Sequence, residues 1–385
     1  MRYDNARLAD FSLDAGAKKR GSLDGTFFIL VMLLLTIGVV MVLSSSFARA
    51  YYDPGRITGG NAAYYFIRQL LFALIGTALM ILCSRLPMGF YRRYAWHFMA
   101  ITLILLALVP IVGVKANGSR RWLGVGGLTL QPSELAKIGV ILCFSSLICR
   151  MRGRMESFRY GILPFAAILG LVVGLLILEP HFSASIIIVA VGGVMMFLGG
   201  VRLGWFAGAG GIAAAGIGIL LTLFPYASGR INTWRDPFSS SSDEGYQIVQ
   251  SLYTIGSGGL SGLGLGMSRQ KYLYLPEEHN DFIFSVVCEE LGFIGAALIL
   301  ILFAMLILRG YWIALHCRDR FNFLVVAGVT TLLAIQVFLN VAVVTNLVPC
   351  TGISLPFFSY GGTALLIQLG EMGIILSASR DIIEK

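Results

Sequence analysis

The chain has 385 residues, of which 57% are hydrophobic and only 13% charged, with a formal net charge of +9. A soluble domain is about 45–50% apolar and about 25% charged, so a water-soluble fold is excluded: there is too little polar surface to cover so much apolar material. The six cysteines form no CxxC and no Cys/His cluster, which removes the zinc-finger and disulfide-scaffold classes.

Hydrophobic stretches of about 20 residues, long enough to cross a bilayer core of about 30 Å, predict spans near 25–48, 64–84, 95–114, 133–149, 162–178, 183–200, 203–224, 282–308, 321–346 and 359–378. The expected class is an all-α, multi-pass membrane protein with about ten transmembrane helices. Lipid-facing backbone must bond within its own segment, and no alternating barrel strands occur. The first span follows Lys18, Lys19 and Arg20; its apolar run exceeds the roughly 7–15 residues of a signal-peptide core, so it reads as an uncleaved anchor. Residues 1–24 are expected as a cytoplasmic segment, 25–378 as one membrane domain and 379–385 as a cytoplasmic tail. With both termini inside, 18 of the 29 Lys and Arg residues fall in cytoplasmic segments, mostly short loops, as the positive-inside rule requires. That topology accounts for the net charge, and no nucleic-acid partner is implied.

The other basic residues run against the orientation bias. Lys115, Arg120 and Arg121 share one short outer loop, and Arg269 and Lys271 lie in another, so the outer face should attract an anion such as phosphate. Gln131-Pro132-Ser133-Glu134 opens the fourth span with helix-start chemistry. Glu134 and Lys137, spaced i,i+3, suit either a self-neutralising pair or an anion-facing lysine held by its glutamate. The long external loop at about 225–281 contains a Ser run from Ser239 to Ser242, then a stretch of helical spacing that breaks into glycines, expected as a re-entrant or interfacial helix ending in a loop packed on protein. Asp281, directly ahead of the eighth span, suits two roles: a helix cap, or a general base toward a sugar hydroxyl. His279 has no second histidine nearby, so loop packing or substrate contact is favoured over metal ligation. Glu289 and Glu290, deeper in the span, require partners in the bundle and read as structural or proton-linked. Residues 346–363 read as a rigid turn dipping back into the membrane.

Asn117-Gly118 through Arg121-Trp122, QPSELAK at 131–137, GYQIVQS at 245–251, IGSGGLSGLGLG at 255–266, YLPEEHNDFIF at 274–284, EELGFIG at 289–295 and TGISLPFFSYGG at 351–362 together resemble the SEDS family, the bacterial shape, elongation, division and sporulation proteins with FtsW-like and RodA-like branches. The run SRQKYLYLPE resembles the division and sporulation group more than the elongation group. The resemblance implies a peptidoglycan glycosyltransferase of the bacterial cytoplasmic membrane that polymerises lipid II, an undecaprenyl-pyrophosphate-linked glycan precursor, on the outer face. It also implies a class B penicillin-binding protein as transpeptidase partner, alongside other division or elongation proteins. The family's essential acid maps to Asp281, and its membrane-edge acid and base map to Glu134 and Lys137. His181 stands where many relatives carry Asp.

In the mechanism this implies, Asp281 takes the proton from the C4 hydroxyl of the acceptor sugar as undecaprenyl pyrophosphate leaves the donor. Lys137, ahead of Arg120, Arg121, Arg269 and Lys271, stabilises the departing charge, and Gln131 and His279 are further substrate contacts. A divalent cation is the one candidate cofactor, with no ligand set assigned. A lipid-linked-sugar flippase and a non-enzymatic scaffold of the cell-wall machinery are the rival readings. The polar constellation on one face, without an ionisable ladder through the spans, favours the enzyme. The orientation is directly testable: a reporter fused after Arg380 should lie in the cytoplasm, and an impermeant thiol reagent should label Ser240→Cys from outside. Labelling of that cysteine only from the inside would reverse the topology.

Overall fold

A computed structural model describes residues 21–52, 58–116, 119–125, 128–179, 181–208, 210–211, 232–239 and 243–382. Lys18, Lys19, Arg20, most of the span expected at 203–224, and Ser240 to Ser242 lie outside the described residues. Among the described residues nine helices are long and apolar enough to cross a membrane.

In chain order these are α1 (Gly25–Tyr51), α2 (Tyr64–Arg85), α3 (Met88–Val112), α4 (Pro132–Arg150), α5 (Leu163–Leu178, preceded by a π-helical turn at Phe158–Ile162), α6 (Phe182–Gly199), α8 (Ile283–His316), α9 (Arg320–Val344) and α10 (Gly362–Ser379). Between α6 and α8 in the chain lies α7 (Asp243–Ser257), shorter and strongly amphipathic. The α4 and α9 helices are the most buried of the membrane-length helices and form the centre; α10 packs along α2, and α8 packs against α1 and α9. The outer helices α2, α3, α5 and α8 bury less than a third of their most apolar stretch inside the bundle, as helices that face lipid do.

The end of the bundle expected as cytoplasmic is tied by polar residues. Asp24 caps α1 by accepting from the Phe27 N–H at 2.8 Å and pairs with Arg309 of α8 at 2.7 Å. The Gly21 N–H donates to the Arg380 carbonyl, and Arg320 donates to the carbonyl of Gly199. At the opposite end, Ser251 of α7 bonds Ser285 near the start of α8 and the Val344 carbonyl at the end of α9. Gly199 and Ser251 thus lie at opposite ends of the bundle.

The short outer loop after α3 forms a small antiparallel sheet of β1 (Val114–Ala116), β2 (Ser119–Val125) and β3 (Leu128–Leu130), in the order β1-β2-β3. Val114 pairs with Trp122, and Leu123 with Leu130. Thr363, at the start of α10, donates to the Thr129 carbonyl and fastens the sheet to the bundle.

Two irregular stretches enter the bundle. Residues 349–361 fold back from the outer end, and the carbonyl of Phe357 packs against Gly38, halfway along α1, where a Cβ would stand 2.3 Å from it. The second is the glycine stretch after α7, which docks on a break in α8. Gly292 has φ +68° and ψ −173°, which interrupts the helix. The carbonyls freed by that break are taken up from outside the helix: Leu263 N–H donates to Glu289 O and Gly264 N–H to Glu290 O, while Phe293 and Ile294 N–H donate to Gly259 O and Leu260 O. This exchange satisfies the backbone polar groups that a helix break would otherwise strand in an apolar medium. The close approach leaves no room for side chains: a Cβ at Gly292 would stand 2.3 Å from the Gly262 nitrogen.

Gly292→Ala should therefore cost about 1–3 kcal/mol from its backbone conformation alone and lower the apparent melting temperature by several degrees. Gly174→Ala in α5, where a Cβ meets nothing within 4 Å, should leave it unchanged or raise it slightly. Equal melting temperatures for both variants would contradict the docking.

Candidate functional site

The outer ends of α4, α6, α9 and α10, the sheet, the turn before α8 and the re-entrant stretch 349–361 enclose a cavity of about 290 Å³, near the lower end of the range for small-ligand sites. Arg121, Gln131, Glu134, Lys137 and Asp281 all line it. Five residues proposed from separate parts of the sequence thus face one space.

Asp281 belongs to the turn before α8. That helix begins at Ile283 with Phe282 in the capping position and no side-chain cap bond, so Asp281 does not serve as its cap. The carboxyl group is half-buried at the cavity wall. Burial pushes its pKa up to about 7, reinforced by the neighbouring Glu277 and opposed by Arg121. Glu277 has positive φ (+54°) and accepts a bond from the Asn280 side chain at 2.6 Å.

Lys137 and Glu134 form an ion pair of 2.7 Å on the first turns of α4; Lys137 is buried and Glu134 nearly so. Pro132 occupies the first helical turn, but Gln131 caps the helix without a side-chain bond and the Ser133 hydroxyl is buried without a partner, so Ser133 is not the capping group expected of it. Glu371 of α10 also lines the cavity and adds a second carboxylate beside Lys137. Three helix starts converge here: Gln131 before α4, His181 before α6 and Gly361 before α10 all line the cavity, and none caps its helix through a side chain. The positive ends of the three helix dipoles add to the potential of Arg121 and Lys137.

His181 completes this wall, and the buried Glu179 stands two residues before it, near Arg121. Burial, with Arg121 and Lys137 nearby, lowers the His181 pKa to about 3, so its ring is neutral at physiological pH. Burial raises Glu179 to about 8 against the pull of Arg121.

Other expected contacts lie elsewhere. Arg120 is exposed on the sheet and donates to the Pro110 carbonyl at 3.2 Å. Lys271 is buried and pairs with Glu290 at 3.0 Å while bonding Ser44 and the Gly266 carbonyl, so it neutralises an intramembrane acid and is not an outer anion contact. The Arg269 N–H donates to Glu289, which also accepts from Ser257 and Ser268. Arg269 and Lys271 fall outside the cavity lining because the loop that carries them docks on the α8 break. His279 is buried between Tyr65 and Tyr360, with ring centroids at 4.8 and 5.8 Å, and packs where substrate contact was the alternative. Glu278 beside it pairs with Arg49 at 2.9 Å. Burial alone would raise the Glu278 pKa, but His279 and Arg49 outweigh it and hold the carboxyl below its usual range.

Sequence reading missed Gln336, Gln368 and Glu371, which also line the cavity. The available signal was polar side chains within apolar spans. Among the described residues no group of three or more His, Cys, Asp or Glu side chains is arranged to hold a metal ion.

The family described as cell cycle protein, the FtsW, RodA and SpoVE group, matches residues 25–383. The chain is 40% identical over 364 residues to stage V sporulation protein E of Bacillus subtilis, covering 94% of this chain and 98% of that one. It is 38% identical over 361 residues to a probable peptidoglycan glycosyltransferase FtsW of Trichlorobacter lovleyi, covering 92% and 93%. Among solved structures, it resembles a chain of a peptidoglycan synthase complex with TM-score 0.76 and 29% identity, covering 94% of this chain and 98% of the other. It also resembles the rod shape determining protein RodA of Thermus thermophilus with TM-score 0.67 and 29% identity, covering 94% and 99%.

A carboxyl that keeps its proton to about 7 when folded, against an ordinary 3.8, binds more protons folded than unfolded between those values. Its contribution to stability therefore falls as pH rises through that window. Asp281→Asn removes the buried anion, so the variant should melt roughly 2–6 °C above wild type at pH 8, equivalent to about 1–2 kcal/mol, and level with it at pH 4. A lower melting temperature at pH 8 would contradict the shifted pKa.

Proposed function

Since the chain belongs to the SEDS family of cell cycle proteins, we propose that it is a peptidoglycan glycosyltransferase of the cytoplasmic membrane that polymerises lipid II at its outer face. The observation that carries the mechanism is a single one. A carboxyl with a pKa near neutrality, freed from any capping role, faces a cavity whose other walls carry Arg121, Lys137 and three uncapped helix starts.

Asp281 is the general base. Its carboxylate accepts the proton of the acceptor sugar's C4 hydroxyl as that oxygen bonds C1 of the donor N-acetylmuramic acid. The bond from C1 to the pyrophosphate oxygen breaks on the opposite face, and undecaprenyl pyrophosphate leaves with the electron pair, inverting C1. A base whose pKa lies near the working pH is ionised often enough to accept a proton yet basic enough to hold it. Lys137 and Arg121, with the N–H groups opening α4, α6 and α10, stabilise negative charge developing on the pyrophosphate. Glu134 holds Lys137 in place through their 2.7 Å ion pair. The neutral His181 ring adds no negative charge to this wall. The partner proposed from the family resemblance is a class B penicillin-binding protein, which would cross-link the strands made here.

The test is glycan-strand formation from purified lipid II by the full chain with its cognate penicillin-binding protein. Wild-type turnover should rise with pH through about 7 and level off above it, because the deprotonated carboxylate is the active form. Asp281→Asn should still co-purify with the partner while losing about two orders of magnitude in rate. Lys137→Ala should also impair turnover. Polymerisation by Asp281→Asn at the wild-type rate would refute the base assignment.

A further inference from the structure

The three residues that lead into the proposed base are held in an unusual way. The carbonyls of His279, Asn280 and Asp281 each accept a bond from a different donor: Tyr360 N–H, the Ser359 hydroxyl and the Asn340 side-chain amide, each at 2.8 Å. Two of these donors belong to the re-entrant stretch 349–361, and the third, Asn340, projects from α9. Asn340 is 1% exposed, and its one amide nitrogen donates both hydrogens, to Asp281 O at 2.8 Å and to Ile353 O at 2.7 Å. That uses the full donor capacity of a primary amide. Its Oδ1 is buried without a partner, and flipping the amide would set that oxygen against two carbonyls, so the orientation is fixed.

We infer that Asn340 is a positioning residue for turnover, setting the Asp281 carboxylate by clamping the Asp281 backbone to the re-entrant stretch at Ile353. This rests on the reading of Asp281 as general base. Asn340 does not line the cavity, whereas Gln336, one helical turn earlier on α9, does; Asn340 therefore acts through Asp281 without touching substrate.

The other half of the clamp is Gly352, next to Ile353. An ideal Cβ there would stand 2.8 Å from Asp281 Oδ2, with only Asp281 atoms within 4 Å, and the backbone of Gly352 is not in the left-handed region. An alanine fits this backbone and meets only the carboxylate. The clamp thus fixes the Asp281 backbone from one side, and the bare Cα of Gly352 leaves the carboxylate its place on the other.

The experiment measures kcat and KM for lipid II at pH 8 with the full chain in complex with its cognate penicillin-binding protein, together with the melting temperature of each variant. Asn340→Ala and Gly352→Ala should each lower kcat about tenfold or more with KM within about twofold. Asn340→Ala should add no further loss in an Asp281→Asn background, because both changes then act on one group. Should Asn340→Ala fail to fold, Gly352→Ala, which touches only the carboxylate, decides the matter alone. If Asp281→Asn is inactive while the folded single variants keep wild-type kcat, the positioning role is refuted and the base assignment stands. It is likewise refuted if Asn340→Ala slows the Asp281→Asn protein by the same factor as wild type, or if kcat, KM and melting temperature all move together. Wild-type turnover by Asp281→Asn overturns the base assignment and the positioning role with it.

Discussion

In hydrocarbon, a backbone N–H or C=O without a hydrogen-bond partner costs several kcal/mol, and this chain places two stretches of non-helical backbone where lipid surrounds the bundle. Both are paid for by intramembrane partners. At the Gly292 break, the loop at 259–264 exchanges bonds with Glu289, Glu290, Phe293 and Ile294. In the re-entrant stretch, Gln368 accepts from Phe357 N–H, Gln69 donates to Ser359 O and lies within bonding range of Gly361 N–H, and Ser359 accepts from Leu355 N–H. Polar side chains in the spans thus have a structural purpose before any chemical one.

That constraint shapes the site. Backbone from the turn before α8 and from the re-entrant stretch can meet inside the bundle because the carbonyls of His279, Asn280, Asp281, Ile353 and Ser359 each have a donor. Their meeting brings Asp281 to the cavity wall with its backbone fixed and its carboxyl half-buried among apolar and cationic groups. The same inward folding lets α4, α6 and α10 begin beside one space, so that the positive ends of three helices face it. Burial and Glu277 raise the affinity of Asp281 for a proton while Arg121 limits the rise. The outcome is a base near neutrality opposite a wall suited to an anionic leaving group.

The membrane architecture was legible because hydropathy is local: the expected first, second and fourth spans coincide with α1, α2 and α4 to within a few residues. Glu134 and Lys137 were legible too, since their i,i+3 spacing dictates one helical face. The partners of Lys271 were not: Glu290 and Ser44 are distant in sequence, and a basic residue in an outer loop reads as exposed until the loop's docking is known. The small sheet was missed because two of its three strands have only three residues and carry little pattern. The two readings of Asp281 could not be separated in the sequence, because capping depends on where the following helix begins. Asn340 gave only the sign that an amide sits within an apolar span; which carbonyls it serves is decided by the turn it meets.

The fold holds the Asp281 carboxyl at a proton affinity far from that of an exposed aspartate. A direct test is to follow the carboxyl's own titration, by infrared difference spectroscopy or carboxyl-carbon magnetic resonance, with Asp281→Asn used to assign the signal. The account predicts a midpoint of about 7. A midpoint at the ordinary value of about 4 would contradict it.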